Sequence, residues 1–174
     1  MIDCLYQILM DFQTLIVGLL GFSGVIYTLH INSRLSREQH ERNITHEREI
    51  MITALRAELK LIQKAFVDSS KPLEDGSEKD DAFFPENIYT EAYQAFVGRL
   101  GLLSLEQASA VIEAYVSAKE VPTRLRLLSS KHDPSFDKPG YIFIKAEHCG
   151  TAIGIYKAMV PAVKEALRKL ECIS

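Results

Sequence analysis

The 174-residue chain has no basic surplus: 20 Lys and Arg stand against 23 Asp and Glu, a formal charge of −3. A protein built chiefly to neutralise nucleic-acid phosphates needs a strong excess of basic residues, so the balance argues against nucleic acid as a partner. Cys4, Cys149 and Cys172 are odd in number and lack metal-ligand spacing, which excludes a disulfide scaffold and fits a reducing compartment. No Gly-rich phosphate loop, HExxH, CxxC or GxSxG occurs, so the expectation is no cofactor, no metal and no enzymatic activity. His148 and Cys149 are neighbours, but adjacent side chains on a helix point about 100° apart and cannot address one substrate atom. His40 and His46 are six apart and share no face well enough to bind metal by themselves.

Charge is also missing from one window. Between Asp11 and Arg34 there is no Asp, Glu, Lys or Arg, and residues 12–31 read FQTLIVGLLGFSGVIYTLHI. As a helix these residues would span about 30 Å, the thickness of a bilayer's hydrocarbon core. Acidic Asp3 and Asp11 precede the window and no small-x-small cleavage site follows it, which favours an uncleaved single span over a signal peptide. Arg34, Arg37, Arg42 and Arg48 all follow the window. They place the N-terminus outside and the remainder in the cytoplasm of an inner-membrane protein. Thr14, Gly18, Gly21, Gly24 and Thr28 leave a narrow strip of small residues along this helix, where a second copy could approach closely. The partners expected are therefore membrane lipid, other copies of the chain and a cytoplasmic protein.

After the window, residues 34–49 hold eight charges in sixteen positions, and neither Pro nor Gly interrupts the chain between Val25 and Ser70. The pairs Arg34–Glu38, Arg37–Glu41 and Glu38–Arg42 at i,i+4 support a solvated stalk helix continuous with the span. Ile52, Leu55, Leu59, Ile62 and Phe66 then step by 3, 4, 3 and 4 along one face. A second seam runs Ile142, Ala146, Cys149, Ile153, Tyr156, Val160, Val163, Leu167 and Leu170, a coiled-coil-like pattern that fits the first. Pro161 inside it predicts a kink or two shorter helices. Residues 69–87 are rich in turn formers and acids and read as a loop. Tyr89, Tyr93, Phe96 and Leu100 form a short apolar face. Ser104-Leu-Glu-Gln107 is a capping-box start for a helix carrying Leu105, Ala108, Ile112 and Tyr115, which Pro122 stops or bends. Tyr141–Ile144 is the one β-like run; it joins the helical seam, so no strand is expected.

The fold class is thus all-α. Residues 1–33 hold the N-terminal segment and membrane helix, 34–67 the stalk and 68–84 an acidic loop. Residues 85–174 form an antiparallel cytoplasmic bundle of four or five helices, packed with the end of the stalk.

Two resemblances rest on particular residues. The sequences ALRAELKLI (54–62), PENIYTEAY (85–93) and GRLGLLSLEQASAVIEAY (98–115) resemble short bacterial single-span inner-membrane proteins. In those, LRxEL after a span is followed by an IY…GLLS…VIxAY helix pair; no activity comes with the likeness. Arg126-LLSSK-His132 resembles the signature of HEPN domains, helical bundles that often cut RNA as dimers, although Leu127 replaces the customary polar residue. The layout also resembles membrane accessory proteins of RNA-targeting CRISPR systems, which join a span to a HEPN-like region and can form pores. The resemblance implies Arg126 and His132 as a catalytic pair. The leading expectation is a self-associating, membrane-anchored interaction module. The alternatives are a pore-forming or membrane-perturbing effector and a HEPN-like ribonuclease.

Overall fold

The structure, a computed structural model, describes residues 10, 13–70, 81–129 and 138–171, with the side chains of Thr14, Ile16 and Ser70 outside that set. It is mostly helical and all-α in class, with one small sheet. The described elements are α1 (Gln13–Ser70), β1 (Ala82–Pro85), α2 (Glu91–Phe96), a 3-10 helix (Val97–Leu102), α3 (Leu105–Leu128), β2 (Tyr141–Ile144) and α4 (Ala146–Glu171). The chain divides into two units, residues 1–47 and 48–174.

In the first unit α1 carries no buried residue among the described ones. Ten large apolar side chains between Leu15 and Ile31 are 44% to 70% exposed. Thr28 Oγ1 donates to the Gly24 carbonyl at 2.8 Å, which satisfies a hydroxyl that would otherwise be polar surface on an apolar helix. Among the described residues no helix is long and apolar enough to cross a membrane. The uncharged window 12–31 takes in Phe12 and the side chains of Thr14 and Ile16, which lie outside them. Further along, Arg34 Nε pairs with Glu38 at 3.3 Å.

The second unit packs residues 48–70 of α1 with α3 and α4 around one core. Ile52, Leu55, Leu59, Ile62 and Phe66 are all buried, and the Phe66 ring meets Tyr156 of α4 edge-on at 5.3 Å. Cys149, Ile153, Tyr156, Val163, Leu167 and Leu170 are buried on α4, with Val160 packed half-buried against them. Contacts fix the directions. Arg48 reaches Gln107 and Glu58 reaches Tyr115, so α1 and α3 run the same way. Arg56 reaches Glu171 while Phe66 meets Tyr156, so α4 opposes α1. The core is therefore not uniformly antiparallel: the chain returns through residues 81–104 before α3 begins, which resets its direction.

Several expectations need correction. Ala82–Pro85 and Tyr141–Ile144 are strands, paired antiparallel with Phe83 opposite Phe143 and Phe84 opposite Ile142. Neither is long enough to declare itself. Each becomes a strand because the other supplies its ladder and because aromatic cross-strand pairs stabilise it, here Phe83 and Phe143 at 5.4 Å. Gly140, at φ +80, makes the turn into β2 that a side chain would strain. Ile142 therefore belongs to the sheet, and the helical seam begins only at Ala146.

Both prolines are carried inside unbroken helices, Pro122 in α3 and Pro161 in α4. Pro161 lies on the exposed side of α4, and tertiary packing of the buried side outweighs the roughly 3 kcal/mol of an interior proline. On α3 the buried face is Gln107, Ala110, Val111, Ala114, Tyr115, Ala118, Val121 and Leu125, while Leu105 is 84% and Ile112 42% exposed. Alanines at i,i+4 spacing let α3 approach α4 closely, so the helix turns its smaller side chains inward.

Candidate functional site

Glu58 occupies a core position of α1, three residues after Leu55 and four before Ile62, and is only 7% exposed. A carboxylate there is tolerable only if its oxygens find donors. Oε1 accepts from the Ala92 backbone N–H at 2.9 Å and Oε2 from the Tyr93 N–H at 3.0 Å. Oε2 also accepts from the Tyr115 hydroxyl at 2.6 Å. Ala92 and Tyr93 lie in the first turn of α2, whose N-cap Thr90 supplies no side-chain cap. Glu58 thus caps α2 from another helix, as a negative charge set against unsatisfied amides. Burial, and then the Glu58 bond, push the Tyr115 phenol far above its ordinary range and keep it a donor. Its ring stacks on Tyr93 at 4.2 Å and 22°, and Lys119 Nζ stands 5.5 Å over the Tyr93 ring. Both carboxylate oxygens are occupied by protein donors, which makes this node a buried fastener of three elements.

A second polar node closes the opposite end. Ser104 Oγ accepts from the Gln107 N–H at 3.3 Å, and Gln107 Oε1 accepts from the Ser104 N–H at 3.2 Å: the capping box read from the sequence. Gln107 does more than cap. Its Nε2 donates to the Lys169 carbonyl at 3.1 Å and its Oε1 accepts from Arg48 at 3.4 Å, joining α3 to both other long helices. Lys169 Nζ pairs with Glu106 at 2.5 Å, and this bond holds the Glu106 carboxyl below its usual range. Asp81 provides a similar remote cap, accepting from the Ala146 N–H at the start of α4 at 3.0 Å.

The sequence-derived site residues fall in separate places. Gly18, Gly21 and Gly24 lie on the exposed part of α1, where an added Cβ would meet nothing within 4 Å; the Thr14 side chain is outside the described residues. Leu55, Leu59, Ile62 and Phe66, with Ile153, Tyr156, Val163 and Leu167, are buried in the second unit. Arg126 Nη2 pairs with Glu86 on the surface, and His132 lies outside the described residues. Cys149 is fully buried, with Sγ 3.4 Å from the Lys145 carbonyl, and burial raises its thiol pKa, the signature of an inert core cysteine. No group of three or more potential metal ligands occurs among the described residues.

Sequence reading missed Glu58, Tyr115 and Arg48 as polar partners. A signal was present, because Glu58 interrupts an apolar helical face at core spacing. The segments LRAEL and VIEAY meet at the Glu58–Tyr115 bond. No family model matches the chain, and neither a curated protein nor a solved structure matches it.

Proposed function

We propose that the protein is a membrane-anchored, self-associating helical module that presents its second unit to a cytoplasmic protein partner. The observation that carries this reading is the bare apolar part of α1. Ten large apolar side chains stand exposed on a stretch where residues 12–33 contain no charge. A helix apolar on all sides needs an apolar surrounding, and twenty residues is the length a bilayer asks for. An apolar surface of this extent on a water-exposed helix would drive aggregation. Lipid removes that cost, and so does a second copy packed along Gly18, Gly21 and Gly24, where backbones can meet without side chains between them. The arginines at 34, 37 and 42 set the N-terminus outside, while Arg48 is drawn into the second unit by Gln107.

On this reading the second unit is a small helical bundle whose polar nodes hold a fixed face toward a partner. Cross-linking in native membranes tests the assembly. The expected result is a ladder of homo-oligomers that weakens when Gly21 is replaced by Leu; a strict monomer in membranes and in gentle detergent contradicts self-association.

A further inference from the structure

Residues 32–47 of α1, the stalk within the first unit, are helical throughout, and their charge is sorted to one side. Of the six charged residues in this stretch, five are Arg34, Arg37, Glu38, Glu41 and Arg42. At about 100° per residue these five fall within an arc of about 140°. The opposite side carries Asn32, Ser36, Gln39, Asn43 and His46, all exposed and none of them Asp, Glu, Lys or Arg. Their steps of 4, 3, 4 and 3 are the repeat of a helix that lies along a second helix. Upstream on the same face stand Gly18, Gly21, Val25 and Thr28, so the uncharged strip continues the one along which close helix approach is proposed. A stalk surrounded only by water gains nothing from sorting its charges in this way.

The flanks of the strip say what covers it. Arg42 borders it on one side and Glu47, the sixth charged residue, on the other. Two copies lying parallel bring opposite flanks together, so that Arg42 of each copy faces the partner's Glu47, five positions further along. Antiparallel copies would bring like flanks together and forfeit that pairing. The strip is therefore complementary to a second copy of itself, in one orientation. Within the repeat, Ser36 and Asn43 take the a positions and Gln39 and His46 the d positions. Asparagine at an a position costs stability but fixes register and oligomer state. Two helices held in one membrane meet at a high effective concentration, so a seam this polar suffices.

We infer that the uncharged face of the stalk pairs with the same face of a second copy of the chain, parallel and in register, with Asn43 beside the partner's Asn43. This rests on the reading of α1 as an anchored, self-associating helix, and it carries the contact beyond the span. The test uses the full chain with Cys4→Ser and Cys172→Ser, Cys149 being buried. One new cysteine is added at a time: Ser36→Cys, Asn43→Cys or, on the charged side, Glu41→Cys. Oxidation in native membranes is expected to give a disulfide-linked dimer at 36 and at 43, which both meet their own copies only in a parallel pair, and none at 41. Arg42→Glu is expected to lower the Asn43→Cys dimer, and adding Glu47→Arg to restore it. Equal dimer at all three positions, an adduct of any mass other than a dimer's, or no restoration by the double exchange overturns the inference. So does absence of dimer at 36 and 43 while the Gly21-dependent ladder persists, which leaves association through the span standing. Loss of both overturns the inference together with the reading beneath it.

Discussion

Glu58 Oε2 and the Tyr115 hydroxyl lie 2.6 Å apart inside the second unit, and the same carboxylate holds the first turn of α2. One side chain of α1 thereby fixes both the helix that follows it in space and the connection that reverses the chain. A hydrogen bond to a buried charge contributes about 1.5–3 kcal/mol. Tyr115→Phe is expected to destabilise the protein by that amount in denaturant unfolding. The double-mutant cycle with Glu58→Gln should show a coupling of about 1 kcal/mol or more. A coupling near zero contradicts the node.

Gln107 should matter more than the cap it completes. Ser104→Ala removes one capping bond and is expected to cost about 1 kcal/mol. Gln107→Ala also leaves the Lys169 carbonyl and Arg48 without their partner, and is expected to cost about 2–3 kcal/mol. Chemical denaturation of the two variants ranks them; equal losses would reduce Gln107 to its local role.

The Glu106–Lys169 pair predicts a response to acid at the ends of α3 and α4. The folded carboxyl of Glu106 is held below its unfolded value by Lys169. Its contribution is therefore present above the ordinary carboxylate range and lost as pH falls through the lowered folded value. Hydrogen exchange in the last turn of α4 measures it. Wild type should be better protected than Glu106→Gln at neutral pH, and the difference should vanish in acid. A difference independent of pH contradicts the pair's role, which is small because Glu106 is largely exposed.

Orientation has its own readout in the three cysteines. Cys4 precedes the uncharged window, whereas Cys149 and Cys172 follow it. A membrane-impermeant maleimide applied to intact cells is expected to label Cys4 alone. Labelling of Cys172 from outside, with Cys4 silent, would reverse the orientation.

The parts legible in the sequence were those written as long periodic patterns. The α1 and α4 seams repeat over several turns, so Leu55, Leu59, Val163 and Leu167 could be assigned to helix faces without a partner in view. Ala82–Pro85 could not be assigned in that way, because four residues become a strand only through pairing with Tyr141–Ile144, more than fifty positions away. On α3 the large side chains misled. Leu105 and Ile112 look like core, yet Ala110, Ala114 and Ala118 do the packing, since close helix approach favours the smaller residue. Glu58 was hidden for the opposite reason: a carboxylate is read as surface until its donors from α2 and α3 are seen around it.

The central claim is that lipid is the solvent of residues 12–31. Ultracentrifugation of cell lysate after alkaline carbonate extraction tests it most directly. The full chain is expected in the membrane pellet, with release only by detergent, and a variant carrying Leu19→Lys and Ile26→Lys is expected to leave the pellet. Wild-type chain in the carbonate supernatant would contradict the account.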